Sequence, residues 1–480
     1  MHNKRLHLWG SLFVFLILSY FSLFHKLGKQ PMNMWDESSY ALNAQEMVER
    51  GNPIEVYLLG KPDVYNSKPP LAIWCMAVCI KVFGFNELGA RMASAIFGLL
   101  SALLLWLVGI KIFKNYWTAL IFPLVLLSSY GFVGWHISRT GDTDSALAFW
   151  ILLQSLLILG YTNSASVKKA NLYLLLAGFA VSFGCLTKGI AGLTALPGIV
   201  AWLIYEKKLI ATFRKKEFYI ALLSFIILVI GYYWLRNRLT PGYFQAVWDN
   251  EIGGRLQRQD YLNQKTLPFY FYFESMYTQD RYFGWLFVLP VSMIYIFTRS
   301  SDKIKSIGIF FILIFFSISL LLAVSKTKLE WYDAPLYPLM AIIIGISFGL
   351  FITQKDMKYG LLFICVFCWP YYRVVSNNVS VAKGSSVGKI LNLIRRKGHE
   401  KDSIHIINSD ANFVVHFYAK KDCLKGHFSN VVWQGDKSLK QGSYILTQKY
   451  ERDVDMRNAF VLQPILSYKE CNYYKILDKK

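Results

Sequence analysis

Three apolar runs, Leu8 to Phe24, Ala90 to Ile112 and Phe218 to Leu235, approach or exceed the ~20 residues a helix needs to cross a hydrocarbon core of ~30 Å. Segments in lipid have no water to satisfy their backbone, so they must form helices or a closed barrel. Runs this long and continuous read as helices, and 54% of the 480 residues are hydrophobic. The fold class expected is therefore mainly α, a polytopic membrane protein. The first run follows the basic segment MHNKRLH in the manner of a signal peptide, but no small-residue cleavage site comes after it and Trp35-Asp36-Glu37 is a poor cut point. It is read as the first transmembrane helix.

In a soluble protein a net charge of +22 would suggest a nucleic-acid partner. Here much of the excess sits in short loops between apolar runs, such as Lys111 with Lys114, Lys168 with Lys169, and Arg299 with Lys303 and Lys305. That pattern marks cytoplasmic loops touching membrane lipid heads. No nucleic-acid partner is expected. Leu71 to Gly84 is apolar but 14 residues long, ~21 Å as a helix, and counting it as a crossing would move every later basic loop to the wrong side. It is placed as an interfacial or re-entrant helix in an outer loop of residues 25–88. About eleven spans remain, near 8–24, 89–110, 115–135, 144–161, 171–187, 190–205, 217–235, 282–298, 306–324, 335–352 and 359–374, with the N-terminus cytoplasmic and the C-terminus outside.

After about residue 375 the long apolar runs stop and short β-prone runs appear, Ser403 to Asn408, Asn412 to Tyr418 and Ser443 to Thr447. Residues 1–377 are read as the transmembrane domain and 378–480 as a small water-soluble α/β domain on the outer side. Cys423 and Cys471 fall in the outer domain, where an oxidising compartment permits a disulfide. The five other cysteines lie in apolar segments as packing residues, and no pair has zinc spacing.

Charged groups gather at the outer span ends. Asp36 and Glu37 open an amphipathic helix whose stripe, Tyr40, Ala41, Ala44, Met47 and Val48, ends at Gly51-Asn52-Pro53. Acids at a helix start are ordinary capping chemistry, so a functional reading rests on their company. Lys68 is held before Pro69 and Pro70, and Arg139, Asp142 and Asp144 crowd the entrance of the fourth span. Lys188 sits between two spans with almost no loop, Arg255 lies in a long aromatic-rich outer loop, and Lys328 and Tyr332 precede Pro335. Each alone also reads as a snorkelling cation, a solvated loop or part of an interfacial belt. Several cations and three or four carboxylates on one side of the membrane fit a lipid-phosphate substrate better.

The ordered set resembles a known group: DE after the first span, KPP before a short apolar segment, FGFNELGAR, a SRxxxTD loop, LTKG, GRLQR, and KLEWYxxPLYP. Over roughly residues 30–345 it is similar to the GT-C glycosyltransferases of the protein O-mannosyltransferase and lipid A aminoarabinose transferase type. The resemblance implies a sugar taken from a polyprenyl phosphate and moved, with inversion, to a lipid A, polysaccharide or protein acceptor on the periplasmic face of a bacterial inner membrane. It implies Asp36 as the acid that deprotonates or orients the acceptor, supported by Glu37, and Lys68, Arg255 and Tyr332 as phosphate-holding groups. Asp144, Lys188 and Lys328, together with Arg139 and Asp142, complete the implied substrate-binding set. Some aminoarabinose transferases hold a divalent metal with an acid just before the KP and a His before the loop arginine; Ser67 and Asn250 stand there in this chain. No cofactor is firmly implied, no metal ligand is assigned, and a divalent metal is left open. The competing class is a transporter of the same lipid-phosphate sugar, which predicts charges near the bilayer midplane and broken helices in paired halves.

Overall fold

The computed structural model describes residues 2–33, 35–134, 136–253, 267–278, 285–354, 358–379, 386–408, 412–434, 438–448 and 450–480. Seven helices among them are long and apolar enough to cross a membrane: Lys4–Phe24, Glu87–Phe113, Asp144–Asn163, Val167–Leu193, Lys216–Leu239, Asp302–Val324 and Leu336–Thr353. The chain is a multi-pass membrane protein. The Lys216–Leu239 helix presents the most open apolar face of the seven, since only 17% of its apolar window is buried while Leu223, Ile227 and Ile230 stand exposed. Leu336–Thr353, 78% buried, is the central helix against which others pack. Small residues permit close packing between other helix pairs as well. A Cβ on Gly198 would come within 2.6 Å of the Ile314 backbone, and one on Gly109 within 2.8 Å of Ala119.

The helix expected over 115–135 is broken. Ile121–Leu127 stops at Ser128 and Ser129, whose hydroxyls both donate to the Val125 carbonyl, and the chain resumes as the short helix Tyr130–Val133. Hydroxyls that satisfy carbonyls locally let a buried chain turn without leaving the backbone bare. The turn delivers residues 136–143 to the face that carries the Asp36–Arg50 helix.

On that face the Asp36–Arg50 helix ends as its sequence indicates, on Gly51 at φ +66°, a left-handed position that suits a residue without Cβ. The Leu71–Phe83 helix begins directly after Pro69 and Pro70 and packs on Asp36–Arg50. Beyond residue 386 lies a five-stranded sheet in the order 429–433, 404–408, 444–448, 471–479, 460–468, with its first three strands parallel and the rest antiparallel. The expected strand Asn412 to Tyr418 is instead the helix Phe413–Cys423. Strands 404–408 and 429–433 are parallel, so the chain between them must cross over, and a helix burying Val414, Val415, Phe417 and Tyr418 does so. Cys423 and Cys471 are both free; Cys423 is exposed and Cys471 buried.

The sheet region and the outer helices share a core. Met32, Tyr40, Met76 and Ile80 pack in one buried cluster with Val387, Ile390, Val415 and Tyr418. Ion pairs from Lys420 to Glu49 and Lys421 to Glu87 flank it, and the Met32 amide donates to the Tyr418 hydroxyl at 3.0 Å.

Candidate active site

Four segments converge where the Asp36–Arg50 helix begins. Asp36 is its first residue, preceded by Trp35 at φ +66°, and its side chain is 44% exposed. Glu37, one residue on, faces the other way. Its carboxylate takes Arg91 Nε at 2.6 Å and Nη2 at 3.0 Å, the Asn33 amide at 2.7 Å and the Gly141 amide at 3.0 Å. Arg91 also donates to the carbonyls of Leu27, Gln30 and Pro31. Glu37 therefore fixes the start of the helix against three other segments, and Asp36 is the acid left facing outward.

Lys68 is presented by a loop that is itself held. The Arg236 guanidinium, fully buried and lying 4.0 Å over the Tyr243 ring, donates to the carbonyls of Asp63, Asn66 and Lys68 itself at 2.9–3.0 Å. The ammonium of Lys68 stands 3.7 Å from Glu251 and contacts the Tyr40 hydroxyl. Burial pulls the Lys68 pKa down, but Tyr40, Glu251, Asp36 and Tyr332 outweigh it and hold the ammonium well above the ordinary lysine range. Lys68 stays a cation.

Asp144 and Lys188 form a buried ion pair at 2.5 Å across the outer ends of their helices, and Lys188 lies 5.0 Å over the ring of Tyr332. These groups, with Glu251, form the polar wall of a cavity of about 420 Å³ whose remaining lining is largely apolar, including Leu147, Leu193, Ile318, Leu321 and Val324. An amphipathic cavity at a membrane's edge suits a head group with a hydrocarbon tail.

The remaining candidates divide. Asp142 is buried beside His136, and burial, then the charges of Asp36 and Glu37, push its carboxyl well above the ordinary range. Asp36, Lys68 and Asp142 are not among the cavity's lining residues, and neither are Arg139 and Lys328. The Arg139 guanidinium donates to the carbonyls of Ser22 and His25, and Lys328 Nζ donates to the Ser325 carbonyl at 2.6 Å. Arg255 lies outside the described residues. Tyr40, Glu251 and His136 are present without having been singled out: Tyr40 counted as one of an apolar stripe, Glu251 gave no pattern of its own, and His136 was one of eight scattered histidines. Ser67 does not take a metal's place, since its hydroxyl donates to Glu251 at 2.8 Å and one hydroxyl with one acid is a poor donor set for a divalent ion.

The family described as dolichyl-phosphate-mannose-protein mannosyltransferase matches residues 67–234. An uncharacterised protein of Aquifex aeolicus is 29% identical over 346 residues, 71% of this chain and 64% of that one. The undecaprenyl phosphate-alpha-4-amino-4-deoxy-L-arabinose arabinosyl transferase 2 of Proteus mirabilis is 27% identical over 364 residues, 74% of this chain and 62% of its own length. The chain thus spans somewhat under two thirds of these relatives. In fold, it matches the crystal structure of ArnT from Cupriavidus metallidurans bound to undecaprenyl phosphate at a TM-score of 0.75 and 14% identity, over 97% of this chain and 98% of that one.

Proposed function

We propose that the chain, a multi-pass membrane protein, is a glycosyltransferase of the GT-C type that moves a sugar from a polyprenyl-phosphate donor to an envelope acceptor, lipid A, polysaccharide or protein, with inversion. The observation that carries this reading is the cavity itself: apolar along most of its lining, with Asp144, Lys188, Glu251 and Tyr332 on its polar wall and Lys68 against Glu251.

In the proposed reaction the bond between the anomeric carbon and the phosphate oxygen breaks, and the acceptor oxygen bonds to that carbon from the opposite side. The acceptor's proton passes to Asp36, the one acid of the Asp36-Glu37 pair whose oxygens are not committed to an arginine. Lys68 and Tyr332 stabilise the charge left on the polyprenyl phosphate, and the sequence resemblance adds Arg255 to them. The Asp144–Lys188 pair shapes the wall beside them. Glu37 acts as a positioning residue through Arg91, and Arg139 and Lys328 act on loop carbonyls, outside the substrate set.

Purified protein given a polyprenyl-phosphate sugar and crude envelope acceptors is expected to release polyprenyl phosphate and label the acceptor. Asp36→Asn and Lys68→Ala should both fold and fail to transfer. Full transfer by Asp36→Asn would remove the assignment. We further propose eleven crossings in a bacterial inner membrane. That number follows if the shorter apolar helices Thr118–Leu127, Leu196–Tyr205 and Trp285–Arg299 and the helix Lys358–Val379 are counted with the seven longer ones, and Leu71–Phe83 is not. Residues 1–377 then form the catalytic domain and 378–480 the periplasmic one. A reporter at residue 86 should read periplasmic and one at 114 cytoplasmic; the reverse result inverts the topology.

A further inference from the structure

Strands 404–408 and 444–448 of the five-stranded sheet are parallel neighbours, yet the helices that follow them leave to opposite faces. Phe413–Cys423 packs through Val414, Val415 and Tyr418 on the face of Ile404, Ile406 and Leu446. Tyr450–Ala459 packs through Met456 on the face of Ile407, Val432 and Ile445. Neighbouring parallel strands whose connections part in this way leave a crevice beyond their carboxyl ends, the place where open α/β sheets hold ligands. The pairing follows that separation. The ladder between the two strands stops at Ile406 and Leu446, while 404–408 stays paired as far as Asn408 with Trp433 and 444–448 as far as Gln448 with Cys471.

Amide side chains gather at this edge. Asn408 and Gln448 end their strands two residues after Ile406 and Leu446, and so lie on the face that carries Phe413–Cys423. Asn412 holds the N-cap position of that helix but makes no side-chain cap hydrogen bond, which leaves the first-turn N–H groups without their usual acceptor. Asn408, Asn412 and Gln448 are 3%, 5% and 7% exposed. Asn412 Oδ1 and Gln448 Oε1 have no hydrogen-bond partner among the described residues. Buried polar atoms in that condition are costly until something meets them.

The unmet groups select the chemistry of what would meet them. A cation is repelled by the positive end of a helix, and an anion has no proton to give two carbonyl oxygens. A hydroxyl serves both needs, donating to an amide oxygen and accepting from an N–H. Two such acceptors call for two hydroxyls on one rigid frame, as on a sugar ring.

We infer that the crevice at the ends of strands 404–408 and 444–448 binds a saccharide, with Asn412 and Gln448 holding its hydroxyls. Sugar binding stands independently of the transfer reading. Its role rests on that reading: Phe413–Cys423 packs on Asp36–Arg50, so the sheet region holds the acceptor's glycan on a body fixed to the helix that carries Asp36.

The test uses the full-length protein in a detergent without a sugar head group. Saturation-transfer difference NMR is recorded with the methyl glycosides of glucose, galactose, mannose and N-acetylglucosamine, and purified lipopolysaccharide is then added as competitor. Saturation transfer to at least one glycoside is expected. Its loss on adding lipopolysaccharide assigns the site to a lipid-borne glycan, and its persistence assigns it to a free one. Gln448→Leu and Asn412→Ala should each weaken binding at least ~10-fold, while Asn430→Ala, at an exposed position of strand 429–433, leaves it unchanged. Without sugar, Gln448→Leu should melt no lower than wild type, because it removes an unsatisfied acceptor and breaks no bond. A folded wild type that binds none of the four glycosides overturns the site, as does binding that survives in both variants. Melting of Gln448→Leu several degrees low shows the amide already satisfied by ordered water alone, and overturns it too. Transfer without sugar binding sinks this inference and spares the transferase, whereas sugar binding without transfer to any acceptor does the opposite.

Discussion

Asp36 and Glu37 are adjacent acids at one helix start, and the structure requires opposite phenotypes from their amides. In Glu37→Gln the Arg91 guanidinium remains charged and buried, both partners' side chains being 1% exposed, while the amide nitrogen is turned against donors that formerly met carboxylate oxygens. Removing one partner from a buried pair costs about 3–5 kcal/mol. The loss reaches further than the pair, because the same carboxylate accepts from the Asn33 and Gly141 amides. With an unfolding entropy near 2 cal/mol/K per residue, a chain of this size moves its melting point by roughly 1 °C per kcal/mol, so Glu37→Gln should melt about 3–5 °C low. Asp36→Asn alters a 44% exposed side chain whose contact with the buried His136 ring is a long 3.8 Å, and should melt within about 1 °C of wild type.

Transfer should divide the other way. Asp36→Asn loses the proton acceptor and with it about 10²–10⁴ in rate, whereas Glu37→Gln retains Asp36 and loses activity only as its geometry loosens. Thermal melting in detergent by intrinsic fluorescence, beside release of polyprenyl phosphate, reads both axes. The reasoning is refuted if Asp36→Asn melts several degrees low, or if Glu37→Gln melts like wild type while losing transfer as completely as Asp36→Asn.

Arg236→Lys cannot span three carbonyls with one ammonium, so the Lys68 loop should loosen and kcat/KM for the donor should fall at least ~10-fold with little change in the far-ultraviolet circular dichroism; an unchanged kcat/KM would show that the clamp does not position Lys68. Lys188→Met strands Asp144 and should cost about 3–5 kcal/mol of stability, which Asp144→Asn in the same chain recovers without restoring transfer; no recovery in the double variant would deny the pair its coupling. His416 is held below the ordinary histidine range by burial, so the unfolded chain takes up its proton first as pH falls. That contribution to stability is complete above the unfolded pKa and is lost below ~6.5, so His416→Gln should narrow the melting difference between pH 7.5 and 5.5. An identical pH profile in wild type and variant would locate the loss elsewhere.

How much of this was legible in the chain follows from which interactions are local. The membrane class and the stop at Gly51 depend on composition and on neighbours a few residues apart, and both could be read directly. The breaking of the 115–135 run was not, because Leu124 to Leu127 are apolar and only the two serines, ordinary residues in a membrane helix, mark the turn. Asn412 to Tyr418 misled for a related reason: Val414 and Val415 have strand propensity, but the parallel pairing of strands more than twenty residues apart decides that a crossover helix lies between them. The same limit applies to His136, whose neighbours Asp36 and Trp331 are distant in sequence and meet it only in the fold.

Arginine accounts for most of what remained unread in the site. A loop on the outer face that is neither helix nor strand still carries one carbonyl per residue, and where such a loop is buried those carbonyls need donors. Arg91 supplies three, Arg139 two and Arg236 three, each guanidinium reaching carbonyls at 2.7–3.1 Å. A planar fork of five N–H groups can do this where a lysine cannot. In sequence such a residue is an outer-face cation, indistinguishable from one that meets phosphate. Arg139 reads as substrate-binding for that reason, and Arg91 and Arg236 pass without notice. The division of labour that results is physical: Lys68 and Lys188 pair with carboxylates, Lys188 at the cavity wall, while buried arginines hold the loops from which Asp36 and Lys68 project. Cations whose hydrogen bonds are already spent on backbone cannot exchange them for a ligand without unfolding the loop, which is why the proposed substrate contacts fall to charges whose partners are carboxylates or rings.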